Sequence, residues 1–180
     1  MVWKLRKRSN SLVDLKRLVY LISPDKIKKK FYKDLKKVLT SKNVKFFQLR
    51  IKKKSKSEIA KIAKKIKTIT KKNNVKLIIN DNAEIAKMVG ADGCHIGQLD
   101  KSIINAKKYI DNKIIGVTCH NSKKLAYFAE KNKASYIALG SFYKSKLKPN
   151  AKKANPKILR WAKKNIKIPI VAIGGINDKN

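Results

Sequence analysis

Acidic side chains are the scarce resource of this sequence, which has 11 Asp+Glu against 47 Lys+Arg in 180 residues and a formal charge of +36. Two of those acids close apolar runs. Asp81 ends Leu77-Ile-Ile-Asn80-Asp81, and Asp100 ends His95-Ile-Gly97-Gln98-Leu99-Asp100. Two carboxylates that meet phosphate oxygens are a usual Mg²⁺ arrangement, because Mg²⁺ keeps several waters and takes few protein ligands. Cations follow other apolar runs: Arg50 and Lys52 in Gln48-Leu-Arg50-Ile-Lys52, and Lys148 in the segment Gly140 to Lys148. If they converge, they clamp a group of two or three negative charges, such as a pyrophosphate. Gly174-Gly175 lets backbone N–H groups come close to a second phosphate. The set suggests a Mg²⁺-dependent enzyme acting on a pyrophosphate and a monophosphate.

Each residue also has a plainer role open to it. An arginine at a strand end commonly forms a surface ion pair. Asn-Asp after a strand commonly starts a turn or caps a helix, and Gly-Gly is turn punctuation. His95 reads as a packed core residue and His120 as a loop residue. Cys94 and Cys119 read as small apolar fillers. The shared position of the charged residues on successive strand tips is what separates the site reading from these.

The elements that must carry those tips are short β-branched runs: Leu18–Ile22, Val44–Leu49, Val75–Ile79, Gly93–Ile96, Lys113–Val117, Tyr136–Leu139 and Pro169–Ile173. Runs that are apolar on both faces fit buried parallel strands. Helical stripes lie between them. Phe31, Leu35, Val38 and Leu39 share a face, as do Ile59, Ile62, Ile66 and Ile69. Ser55-x-x-Glu58 has capping-box spacing. Asn155-Pro156 opens a last helix, whose Ile158, Leu159 and Ala162 face inward. Alternating β and α segments imply a parallel sheet flanked by helices. The pattern alone leaves an open doubly wound sheet and a closed eight-stranded barrel in competition. In a barrel every strand tip meets on one rim, where the active site sits.

Composition excludes other classes. Cys94 and Cys119 are the only cysteines and form no CxxC pair, so neither a disulfide scaffold nor a cysteine zinc site is expected. No apolar run reaches the roughly 18 residues of a membrane span, and Leu18–Ile22 is too short for the core of a signal peptide. A cytoplasmic, soluble protein is the expectation. Of the 47 cations only Arg6, Arg8, Arg17, Arg50 and Arg160 are arginine, the residue preferred for bidentate phosphate and base contacts. Lysines spread along the whole chain, together with many Ile and Asn, read as solvated faces rather than a specific nucleic-acid surface.

With Gln48-Leu-Arg-Ile-Lys52, Ile79-Asn-Asp81, Gly90 to Asp100, Ile115-Gly-Val-Thr-Cys-His120 and Ile168 to Ile176 taken as a linked set, the chain resembles the thiamine-phosphate synthase family, part of the thiamine-phosphate synthase/thiazole tautomerase superfamily. The resemblance implies an α/β fold of the (β/α)₈ TIM-barrel type. It implies a Mg²⁺-dependent transferase that joins a hydroxymethylpyrimidine pyrophosphate to a thiazole phosphate, giving thiamine phosphate and pyrophosphate by a dissociative mechanism. It assigns Gln48, Arg50, Lys52, Asn80, Thr118 and Lys148 to the pyrimidine pyrophosphate. Asp81 and Asp100 are assigned to the metal, and Ser145, Gly174 and Gly175 to the thiazole phosphate. Arg50, Lys52, Thr118 and Lys148 would carry catalysis. Leu147 replaces a hydroxyl residue of the family loop, so weaker thiazole-phosphate binding is expected. The domain is read as one incomplete barrel over 1–180, with a basic extension at 1–16 and the eighth βα unit missing. That reading expects open edges on the first and seventh parallel strands. The competing readings are a thiazole tautomerase-like relative and an inactive basic polyanion-binding fragment. Oligomeric state is not legible from the sequence.

Overall fold

A computed structural model describes residues 2–4, 18–97, 102–110, 112–144 and 151–177. Asp100, Ser145, Leu147 and Lys148 therefore lie outside the described residues. In chain order the strands are β1 (Val2–Lys4), β2 (Leu18–Ile22), β3 (Val44–Leu49), β4 (Lys76–Asn80), β5 (Gly93–Ile96), β6 (Ile114–His120), β7 (Tyr136–Leu139) and β8 (Ile170–Ala172). The helices are α1 (Lys29–Leu39), α2 (Lys56–Lys72), α3 (Ala83–Met88), α4 (Ile103–Ile110), α5 (Lys123–Lys131) and α6 (Lys157–Asn165).

Strands β2 to β8 pair in parallel, each with the next in sequence, with the helices between them. The alternating pattern required this arrangement, because a parallel neighbour needs a crossover connection. The ring closes through β1, which pairs antiparallel with both β2 and β8. Trp3 stands opposite Leu18 on one side and Val171 on the other. The expected open edges are thus corrected. Three residues of the segment read as a basic extension fill the gap and take up the edge hydrogen bonds that would otherwise template aggregation.

Period-two alternation splits the apolar residues into two layers. One phase of the strands (Phe47, Leu49, Leu77, Ile79, Cys94, Ile115, Val117, Ile137, Leu139) packs outward against buried helix faces. The other phase fills the barrel with a smaller cluster: Tyr20, Ile78, Tyr136, Ala138 and Val171. Gln48, Asn80, His95 and Thr118 share this inward phase. That is why polar side chains occur in otherwise apolar strands.

The helix expectations hold in part, with Phe31, Ile59 and Ile62 only partly buried. Val38 is 47% exposed, so the inward stripe of α1 is carried by Leu35 and Leu39. Leu159 on α6 is only partly buried, while Ile158 and Ala162 are inside. The capping box at α2 is complete: the Ser55 hydroxyl accepts from the Glu58 N–H, and the Glu58 carboxylate accepts from the Ser55 N–H. Asn155 accepts from the Lys157 N–H through its side chain, at 2.9 Å. No helix among the described residues is long and apolar enough to cross a membrane.

Candidate active site

The polar tips of β2, β3, β4 and β6 lie at the same end of the barrel. The β2 tip supplies Ser23 and Asp25. Ser23 is fully buried. Its N–H donates to the Gln48 carbonyl at 2.9 Å, and its hydroxyl accepts from the Arg50 N–H at 2.9 Å. These two bonds extend the β2–β3 ladder beyond Ile22 and fix the backbone of Gln48-Leu-Arg50. Arg50 is itself buried and donates from Nη1 to Asp25 Oδ1 at 2.8 Å. The expected ion pair exists, but the arginine is held in the fold rather than lying on the surface.

Lys52 meets Asp81. Lys52 Nζ lies 3.0 Å from Asp81 Oδ2, across the β3 and β4 tips. Asp81 sits in the left-handed region at φ 63°, which short acidic side chains tolerate better than most. Its N–H donates to the His95 carbonyl at 2.7 Å, which turns the chain sharply off β4. The helix-cap role open to Asn80-Asp81 is taken by the next residue: Asn82 Oδ1 accepts from the Ile85 N–H at 2.9 Å at the start of α3. The Asp81 carboxylate pairs with Lys52 instead of capping the helix. The Asp81 carboxylate and the neighbouring Asn80 amide are oxygen donors of the kind a hard cation such as Mg²⁺ takes, with the Lys52 ammonium against the carboxylate. No group of three metal-ligating side chains occurs among the described residues.

Beneath the rim, inside the barrel, runs a chain of five buried side chains. Gln48 Nε2 donates to the Tyr20 hydroxyl at 3.1 Å. The Tyr20 and Tyr136 hydroxyls lie 2.7 Å apart. Tyr136 OH is 2.9 Å from His95 Nδ1, and His95 Nε2 is 2.7 Å from Thr118 Oγ1. Burial raises the Tyr20 and Tyr136 phenols well above their ordinary range, so both stay neutral. Gly116 makes the room: a Cβ there would lie 1.9 Å from Tyr136 Cζ. His95 is in the core as expected, but its partners make it part of a polar network.

Gly174 and Gly175 have φ of 94° and 66°. A Cβ on Gly174 would meet the Ser141 hydroxyl at 2.0 Å, and one on Gly175 would meet the Lys144 carbonyl. Tyr143 N–H donates to the Gly174 carbonyl at 2.9 Å. The glycines therefore serve the turn reading in full, pressing the β8 tip against the segment that leads to Ser145 and Lys148. His120, expected in a loop, is the exposed last residue of β6, at φ 52°. Burial pushes the Cys94 and Cys119 thiols up to about 12, which leaves them inert fillers.

Gln48, Arg50, Lys52, Asn80, Asp81 and Thr118, read from the sequence as site residues, thus lie on the inward phase and rim of three strands, β3, β4 and β6. Sequence reasoning missed Ser23, Asp25, Tyr20 and Tyr136. Only the inward alternation of β2 and β7 could have flagged the tyrosines. Asp25 carries no spacing signal at all.

Comparison with known proteins was made against this geometry. A family model described as thiamine monophosphate synthase matches residues 19–180. The thiamine-phosphate synthase of Pelagibacter ubique is 51% identical over 166 residues, covering 92% of this chain and 80% of that protein. That of Clostridium acetobutylicum is 38% identical over 165 residues, covering 90% and 77%. Among solved structures, a thiamine phosphate pyrophosphorylase from Pyrococcus furiosus superposes with a TM-score of 0.80 at 31% identity, covering 91% of this chain and 77% of that one.

Proposed function

This chain belongs to the thiamine monophosphate synthase family, and we propose that it transfers a hydroxymethylpyrimidine group from its pyrophosphate to the ring nitrogen of a thiazole phosphate. The family makes it a transferase of thiamine biosynthesis. The substrates, the metal and the residue roles are our reading of the site. The observation that carries it is the double ion pairing at the rim: Arg50 with Asp25 and Lys52 with Asp81, on neighbouring strand tips above Gln48 and Thr118. Two cations from the β3 tip, each held by a carboxylate from a flanking strand tip, offer a diphosphate two charged donors, and a lysine and a carboxylate in contact are ready to divide a metal diphosphate between them.

Arg50 and Lys52 bind the diphosphate and stabilise the charge that grows on it as the carbon–oxygen bond breaks. The electron pair of that bond leaves with the pyrophosphate, and the thiazole nitrogen adds to the exposed pyrimidine carbocation. Gln48 and Thr118 align the pyrimidine, and a ring held in place saves much of the entropy of a bimolecular step. No side-chain nucleophile is called for. Asp81 and Asp100 would hold Mg²⁺, which when bound supplies Lewis-acid stabilisation of the departing oxygens. Asn80 and Lys148 complete the diphosphate site. Ser145, Gly174 and Gly175 take the thiazole phosphate. The barrel is the family's (β/α)₈ type, with β1 in the position of an eighth strand, in a cytoplasmic protein.

The test is thiamine phosphate formation from the two purified substrates, followed by chromatography, with and without Mg²⁺. Product should appear only with the metal present, and Asp81→Asn should remove most of it. An equal rate in excess chelator, or a wild-type rate for Asp81→Asn, would refute the assignment.

A further inference from the structure

The network inside the barrel takes its direction from the end of the Gln48 amide that faces Tyr20. The side-chain amide nitrogen of Gln48 can only donate, so Tyr20 accepts from it. A phenol has a single proton to give. Tyr20 spends its proton on Tyr136 at 2.7 Å, and Tyr136 in turn spends its own on His95 Nδ1 at 2.9 Å. A ring nitrogen that accepts carries no proton, so the His95 proton is on Nε2 and is donated to Thr118 Oγ1 at 2.7 Å. The reverse direction needs the Gln48 amide turned over, with Oε1 toward Tyr20 and the His95 proton on Nδ1. The two directions present opposite chemistry to the rim. In the first, Gln48 keeps its carbonyl oxygen for another donor, and the Thr118 proton goes to an acceptor other than His95. In the second both roles swap.

Resting on the proposed function, we infer that Tyr20 and Tyr136 are positioning residues. They hold His95 in its Nε2–H form, so that Thr118 accepts from the ring, and thereby set an acceptor at Gln48 for the bound pyrimidine. The five side chains come from five strands and all are more than nine-tenths buried. Water does not compete for these bonds, and a reversed link leaves a buried group unpaired. Neither tyrosine is at the rim. The Tyr20–Tyr136 bond closes the barrel interior between residues 116 positions apart, so packing the core and orienting the site are done by the same two rings.

The chain has two histidines, so ¹⁵N NMR of histidine-labelled, substrate-free protein resolves the tautomer, with His120→Gln assigning the signals. The expected result is a pyrrole-type Nε2 and a pyridine-type Nδ1 for His95. Tyr136→Phe, which removes the donor to Nδ1, should convert this to a mixture of tautomers. It should also lower kcat for thiamine phosphate about tenfold with KM for the pyrimidine substrate within about twofold. Tyr20→Phe leaves Tyr136 its proton and should keep the Nε2–H form. An Nδ1–H signal in the unaltered protein, or an unchanged tautomer in Tyr136→Phe, overturns the relay. A changed tautomer with unchanged kinetics overturns the positioning role. The NMR measurement uses free protein, so it is decided independently of the proposed activity. Failure of that activity shows itself separately, as no product from any variant.

Discussion

Gly116→Ala is the most exposed consequence of the barrel interior described above. The new methyl would stand 1.9 Å from Tyr136 Cζ and 2.2 Å from its hydroxyl oxygen. Carbon atoms pack comfortably only beyond about 3.5 Å, so the phenol must move by roughly 1.5 Å. It cannot do so and keep hydrogen bonds of 2.7 Å to Tyr20 and 2.9 Å to His95. Overpacking costs about 1–3 kcal/mol, and a buried polar group left without its partner costs about 1–3 kcal/mol more. The stiffer unfolded chain returns about 0.4–1 kcal/mol. A net loss of about 2–4 kcal/mol lowers Tm by about 5–15 °C in a chain of this length. Calorimetry or thermal circular dichroism measures it. The second arm is Tyr136→Leu, which deletes the colliding atoms. Adding Gly116→Ala on that background should cost less than on the unaltered protein, as expected of residues in direct contact. If Gly116→Ala leaves Tm within about 2 °C, or if its cost is the same in both backgrounds, Tyr136 does not fill the space beside Gly116 and the network collapses with it.

Arg50→Lys keeps the charge but not the fork that pairs with Asp25, so kcat/KM for the pyrimidine pyrophosphate should fall about 10- to 100-fold, read by steady-state kinetics. Cys94 and Cys119, buried with thiols pushed up to about 12, should resist iodoacetamide at neutral pH in the folded protein and react in urea; mass spectrometry counts the adducts. Lys54 and then the Ser55 cap pull the Glu58 carboxyl from an ordinary 4.5 down to about 2. Because the folded value is the lower one, Glu58 stabilises the fold fully above about 4.5, and this contribution is lost as pH falls through about 2. Urea midpoints of the native chain and Glu58→Gln should therefore differ at neutral pH and converge in acid.

Much of the parallel sheet was legible because buried strands must be apolar on both faces. Hence Leu18–Ile22, Val44–Leu49 and Tyr136–Leu139 stand out from lysine-covered helices. The rim was legible for a related reason: charged residues directly after such runs have nowhere to go except the strand tips. Strand ends were less so. β6 continues to His120, so Thr118 lies inside a strand, and its inward phase decides its partner. β1 was illegible because Val2-Trp3-Lys4 is three residues in a basic stretch, and its pairing partners lie on strands at both ends of the parallel array. The tyrosine pair depends on the registers of the strands between β2 and β7, which no local pattern encodes.

On the proposed function, the rim also answers what so much positive charge does to a site that binds anions. A few lysines around a diphosphate help, but dozens would hold it without orientation, since charge alone is not directional. Acids at the rim supply direction. Asp25 fixes Arg50 and Asp81 fixes Lys52, at 2.8 and 3.0 Å, so these two cations have defined positions before any ligand arrives. Their neighbours in Lys52-Lys53-Lys54 show the contrast: Lys54 pairs with Glu58 on the exposed cap of α2, where solvent screens an ion pair. Arg50 is buried, so its pairing is screened less and its orientation is set more firmly. Specific binding in so basic a chain is therefore decided by where its few carboxylates sit. Asp25→Asn should accordingly weaken discrimination between the pyrimidine pyrophosphate and inorganic pyrophosphate, measured as the ratio of KM to the inhibition constant, more than it weakens binding of either. An unchanged ratio with both affinities reduced would mean that Asp25 only stabilises the fold.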